Sequence, residues 1–153
     1  MDFSIQLYSG RNFPPMDALI ERIAKLGYTQ VEGFGGLYAD ADNLAKSLKA
    51  NGLTMPTGHF GLSQLQDTST SLKWAETLGM KTLFCPAIPK EDRSQDESKW
   101  VALGETLAKL GETYRKAGYG FVQLNIPVRN LGHPFGAHFG YLFPGISPEA
   151  VGY

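Results

Sequence analysis

The sequence predicts an α/β fold with a parallel sheet, and three observations carry that reading. Over the first ~120 residues, short β-like runs alternate with longer segments of helical periodicity. Successive strand-like runs start roughly 25–35 residues apart, the length a βα unit requires. Four glycines, Gly27, Gly52, Gly79 and Gly118, stand where the helical patterns stop, as residues that accept a left-handed terminating conformation.

The elements follow in order. Ser4-Ile5-Gln6-Leu7-Tyr8-Ser9 alternates like a strand, and Arg11-Asn12-Phe13-Pro14-Pro15 breaks it before a helix. Met16, Leu19, Ile20, Ile23 and Leu26 share one face of that helix, with Glu21, Arg22 and Lys25 on the other. Gln30-Val31-Glu32-Gly33-Phe34 is the second strand. After the turn at Gly35-Gly36, Asp40 and Asp42 offer caps for a helix carrying Leu44, Ala45 and Leu48. The third strand is Leu53–Phe60, with its extent disturbed by Pro56, which removes a ladder donor. Asp67, Thr68 and Ser69 supply capping oxygens to a helix with Leu72, Trp74, Ala75 and Leu78. Strand four is Lys81–Cys85. The polar loop Pro89–Glu97 precedes the longest helix, about Ser98 to Ala117, with Trp100, Leu103, Leu107, Leu110 and Tyr114 in register. A fifth strand falls near Tyr119-Gly120-Phe121-Val122.

Composition narrows the class. With 153 residues, 42% apolar, 19% charged and 12% aromatic, the chain is that of a globular protein of one domain. A formal net charge of −1 and the lack of any Lys/Arg run point to neither nucleic acid nor a membrane surface as partner. The start, Met1-Asp2-Phe3-Ser4-Ile5, has no basic n-region or long apolar stretch, so neither a signal peptide nor a span is expected, and a cytoplasmic location is. One cysteine, Cys85, cannot form an internal disulfide and sits in an apolar run as a small hydrophobe.

Taken together, Gln30-Val31-Glu32-Gly33-Phe34, Thr57-Gly58-His59-Phe60-Gly61, Ala75-Glu76-Thr77-Leu78-Gly79 and the Trp100 helix ending Lys116-Ala117-Gly118 resemble the sugar phosphate isomerase/epimerase family, within the xylose isomerase-like TIM barrel superfamily. The resemblance covers residues 4–121 and implies a partial (half) TIM (β/α)₈ barrel: about four βα units plus a fifth strand, with parallel strands in sequential order. It spans about half of the ~250 residues that a complete barrel uses. It also implies action on a small sugar, sugar phosphate or polyol by metal-assisted proton or hydride transfer next to a carbonyl. The divalent metal, Mn²⁺, Mg²⁺ or Zn²⁺, would act as a Lewis acid held by carboxylates and histidine. Most of those ligands come from later strands in the family, so no metal ligand is assigned to this chain.

The likeness stops after Phe121. Many family members there read a histidine-asparagine-histidine run, where this chain has Val122-Gln123-Leu124-Asn125-Ile126-Pro127-Val128 and matches only at Asn125. Residues 122–153 carry only Arg129 and Glu149 as charges, among five glycines and four prolines. The expected organisation is therefore residues 1–121 as the half barrel and 122–153 as an irregular Gly/Pro/aromatic-rich tail, frameshifted or truncated in origin.

Glu32 and His59 are the candidate catalytic and substrate-binding residues, because both fall at the carboxyl ends of strands, the face where α/β proteins place their sites. Glu32 is read as a base, a substrate hydrogen-bond acceptor or an outer-shell partner, against a merely paired carboxylate. His59 is read as a sugar ligand or proton shuttle, against a hydrogen-bonded wall histidine. His133 and His138 lack helical i,i+4 spacing and are rejected as a metal pair. Gly33-Phe34-Gly35-Gly36 lacks the dinucleotide glycine spacing, and Trp74 and Trp100 read as core. Two other functions stay open: a non-catalytic half barrel that self-associates through open sheet edges, and a flavodoxin-like α/β binding module, whose strand order would be 2-1-3-4-5.

Overall fold

The structure is a computed structural model and describes residues 3–89 and 97–123. Among these residues five strands, β1 (Ser4–Gln6), β2 (Gln30–Phe34), β3 (Thr54–His59), β4 (Thr82–Cys85) and β5 (Gly120–Gln123), form one sheet in the order β1-β2-β3-β4-β5, every pair parallel. Sequential order is what a barrel wall requires, and it removes the flavodoxin-like alternative. Among the described residues five α-helices connect and cover the strands: α1 (Met16–Lys25), α2 (Ala41–Ala50), α3 (Leu62–Gln66), α4 (Thr68–Leu78) and α5 (Glu97–Lys116). Among the described residues no helix is long and apolar enough to cross a membrane.

The core lies between the helices and one face of the sheet. Val31, Leu83 and Cys85 point into it from the strands and are fully buried, together with Ile20, Leu65, Ala75 and Tyr114 from the helices. Trp74 packs its ring 5.8 Å from that of buried Tyr38, as a core residue should. The opposite sheet face carries Gln6, Glu32, Phe34, Thr57, His59, Thr82 and Phe84, all only half-buried. The alternation of strand side chains between faces separates these two sets.

Local details differ from the sequence expectation in instructive ways. The first strand stops at Gln6, because Leu7–Gly10 winds into a 3₁₀ turn that sinks Leu7 into the core and exposes Tyr8. Leu26 follows the last turn of α1 and is 68% exposed, so it leaves the apolar stripe that Ile20 and Ile23 hold. Asp40 occupies the N-cap position of α2, but its carboxylate accepts from Asn43 Nδ2 (2.9 Å) and not from a backbone N–H. Asp67 caps α4 as expected, accepting from Thr70 N–H at 3.2 Å and Ser69 Oγ at 2.9 Å. All four helix-ending glycines have positive φ; at Gly79 it is 70°, a conformation that any Cβ would strain. β5 continues through Val122 and Gln123, and the rest of the segment 122–153, with His133 and His138, lies outside the described residues.

Candidate active site

A bulge in β3 determines which side chains reach the site. Gln30 pairs with Thr54 and Glu32 with Thr57, so one residue of β2, Val31, stands opposite two of β3, Met55 and Pro56. Pro56 has no N–H to offer the ladder, and its carbonyl is taken by Lys81 N–H at 2.7 Å. The extra residue resets the alternation. Without it Pro56 and Gly58 would share the face of Glu32; with it Thr57 and His59 do.

Two glycines next to the site residues make room beneath it. A Cβ at Gly33 would stand 2.7 Å from Met55 Sδ and 2.9 Å from Tyr38 Oη, and a Cβ at Gly58 would meet Tyr38 Oη and Met80. The Glu-Gly and Gly-His pairs at the strand ends therefore have a packing cause: each glycine admits the Tyr38 hydroxyl from the helix side. That hydroxyl is fully buried and has no hydrogen-bond partner among the described residues. Burial, and secondarily the negative charge of Glu32, pushes its pKa upward, so it stays protonated.

On the other face, Gln6, Glu32 and Thr57 lie in one cross-strand row, and His59 is one step higher beside Phe34 and Phe84. Gln6 Nε2 donates to Glu32 Oε1 at 3.0 Å and lies 2.8 Å from His59 Nδ1. His59 Nε2 is 3.1 Å from Glu32 Oε1, and Thr57 Oγ1 donates to Glu32 Oε2 at 2.8 Å. The side chains of Glu32 and His59 are each 20% exposed, enough for a ligand to touch them. The imidazole also meets the Phe84 ring edge-on, with centroids 5.7 Å apart.

These contacts orient the Gln6 amide. A carboxylate only accepts, so the Gln6 amide must turn its NH₂ toward Glu32. The same NH₂ lies 2.8 Å from His59 Nδ1 and 3.3 Å from its Nε2. Glu32 thus accepts from Gln6 and Thr57, and the imidazole lies within hydrogen-bond distance of both Gln6 and Glu32. Gln64 steadies the rim: its Oε1 accepts from Gly61 N–H (2.9 Å) and its Nε2 donates to the Gly35 carbonyl (3.1 Å), tying the ends of β2 and β3 together.

Both residues singled out from the sequence, Glu32 and His59, are therefore in direct contact. Sequence reasoning missed Gln6 and Thr57. Gln6 was readable, as a polar residue in register with Ser4 on an otherwise short strand. Thr57 was hidden by the bulge, which no periodicity announces. For a divalent metal, the described residues fall short: they contain no group of three or more His, Cys, Asp or Glu able to hold an ion. Glu32 and His59 are two such side chains, and they already satisfy each other.

No protein-family model matches the chain, and no curated protein sequence matches it. Solved structures do. The chain superimposes on an AP endonuclease of family 2 from Brucella melitensis with a TM-score of 0.68 and 18% identity, covering 86% of this chain and 58% of that one. It superimposes on a sugar phosphate isomerase/epimerase from Parabacteroides distasonis with a TM-score of 0.65 and 18% identity, covering 96% and 59%. An IOLI protein described with a bound zinc atom gives a TM-score of 0.62 at 13% identity, covering 80% and 51%. The chain thus spans a little over half the length of these proteins. At such identities the likeness establishes the fold alone: half of a TIM (β/α)₈ barrel.

Proposed function

Proceeding from that half-barrel fold, we propose that the chain binds a small sugar, sugar phosphate or polyol over the carboxyl ends of β1–β3 and moves a proton next to its carbonyl, as an isomerase or epimerase does. The Gln6–Glu32–His59 triangle carries the reading: an imidazole held by an amide and a carboxylate, open to a ligand on one side. His59 is the residue that takes and returns the proton, since imidazole is the commonest general acid–base in proteins. Glu32 orients the ring and balances the positive charge it gains on accepting a proton. Gln6 positions the ring, and Thr57 holds the second oxygen of Glu32. The donor set does not fit a complete divalent centre, so no step is assigned to one.

The test has two arms. In D₂O, full-length protein is incubated with a panel of small sugars and sugar phosphates, with and without added divalent metal, and loss of the proton beside the carbonyl is followed by NMR. Exchange is expected, falling on the order of 10²-fold in His59→Gln. In parallel, the ¹⁵N signals of the imidazole shift between the parent and Glu32→Gln, which reports the contact of the ring with the carboxylate. No exchange on any sugar under any metal condition removes the catalytic reading.

One observation favours a second reading. Among the described residues β1 and β5 each pair on one side only, leaving two open sheet edges that can recruit another copy. Sedimentation decides it: a monomer at all concentrations rules out self-association.

A further inference from the structure

The side chains around the candidate site form two rows across the sheet. Gln6, Glu32, Thr57 and Thr82 are successive cross-strand partners on β1 to β4, and Gly120 of β5 ends that row. Two residues nearer the carboxyl ends, Phe34, His59 and Phe84 are partners in the same way. Inward-facing rows of barrel strands are usually filled by bulky branched apolar side chains. Here the lower row is polar on every strand from β1 to β4, and its side chains are half-buried, so each needs a polar partner or solvent.

The members of the row differ in what they already hold. Gln6 and Thr57 donate to the two oxygens of Glu32, and His59 lies against the same carboxylate. Thr82 stands apart: its hydroxyl has no hydrogen-bond partner among the described residues. A hydroxyl offers one donor and two acceptor positions, all of them open in this case. There is also room beside it. A Cβ at Gly120 would stand 2.7 Å from Thr82 Oγ1 and 3.2 Å from its Cγ2, so the absence of a side chain at 120 is what clears the β5 side of the hydroxyl.

Thr82 is placed one strand and two residues from His59, since Thr57 pairs with Thr82 and His59 with Phe84. Diagonal neighbours of this kind stand about 7–8 Å apart. A ligand carbon in reach of the imidazole, with its own hydroxyl within about 3 Å of Thr82 Oγ1, spans such a gap.

From this we infer that Thr82 is a specificity-determining residue: its hydroxyl binds the ligand hydroxyl on the carbon that faces His59, in the space that Gly120 leaves open. The inference rests on the reading of the Glu32–His59 site given above and adds a β4 residue to it. Phe84, whose ring meets the imidazole edge-on, borders this contact on the side of the carboxyl ends.

The experiment titrates ¹⁵N-labelled full-length protein with D-ribose, D-glucose and the 2-deoxy form of each, which lacks the hydroxyl beside the carbonyl, while following the backbone signals of Thr82 and Gly120. At least one sugar binds the wild-type chain about tenfold more tightly than its 2-deoxy form, the effect of one hydrogen bond. Thr82→Val keeps the side-chain shape and suits a strand, and it removes this preference by weakening the complete sugar alone. Thr82→Ser restores the preference, and Thr113→Val, the same change on the exposed face of α5, leaves it unaltered. A purely structural role would weaken both forms of the sugar equally. No binding of either sugar, equal binding of the complete and 2-deoxy forms to the wild-type chain, or a preference that survives in Thr82→Val overturns the inference. A preference set by Thr82 without proton exchange on any sugar sinks the catalytic reading alone. Proton exchange in the wild-type chain, together with undiminished preference in Thr82→Val, sinks the Thr82 contact alone.

Discussion

Two tyrosines in this core are equally buried and differ in one respect, which makes the same substitution give opposite outcomes. Tyr38 and Tyr114 are both fully shielded from solvent. The Tyr114 hydroxyl donates to the Leu65 carbonyl at 2.8 Å and lies 2.6 Å from Ser71 Oγ, joining α5 to α3 and α4. Tyr114→Phe leaves the Leu65 carbonyl without that donor, while Ser71 keeps the Asp67 and Thr68 carbonyls at 3.0 and 3.2 Å. The expected loss is about 1–2 kcal/mol, the net value of one buried bond and part of a second. The Tyr38 hydroxyl has no such partner among the described residues, and an unpaired buried hydroxyl costs roughly 1–3 kcal/mol. Tyr38→Phe removes that penalty and gives up only the contacts of one oxygen with Gly33 and Gly58. It is therefore neutral or stabilising by about 1 kcal/mol. Urea unfolding followed by far-ultraviolet circular dichroism measures both changes, with an unchanged denaturant slope as the condition for comparison. If Tyr38→Phe destabilises as much as Tyr114→Phe, the hydroxyl beneath Gly33 and Gly58 is paired and the account of those glycines is wrong.

Two further outcomes concern titratable groups. Burial pushes the Cys85 thiol up to about 11, only partly offset by a backbone hydrogen bond with Ala87. At pH 8 the thiolate is then about 0.1% of the total, so a disulfide reagent reacts at least about 100-fold more slowly with folded protein than with the unfolded chain; prompt labelling of native protein contradicts this. Asp67 is held below its usual value by its bonds to Thr70 and Ser69. A lowered folded pKa adds stability that is present above the unfolded value near 4 and disappears as pH falls through the folded one. Hence the stability gap between the parent and Asp67→Asn, measured by urea midpoints, narrows on acidification below about pH 4, and a gap independent of pH rules out a role for the charge.

Much of the fold was legible because its signals are local. Helical stripes such as Leu103, Leu107, Leu110 and Tyr114 need only the 3.6-residue period, and the terminating glycines need only their own backbone freedom. The ends of β1 and α1 were misjudged where burial decides: Leu7 turns inward and Leu26 outward for reasons set by the packing around them. The short helix α3 escaped notice because five residues, Leu62–Gln66, are too few to show a period. Within the candidate site, Glu32 and His59 could be named from their places at strand ends, whereas their contact and the parts played by Gln6 and Thr57 could not.

The sequence by itself determined that strands and helices alternate, where each helix ends, and that one carboxylate and one imidazole stand at the carboxyl ends of neighbouring strands. Only the tertiary structure decided that the strands lie in sequential order and that Pro56 sits in a bulge. A strand has a period of two, so one extra residue exchanges its faces. That single step, invisible in the chain because it depends on what β2 and β4 offer as partners, turns His59 away from the helices and toward Glu32.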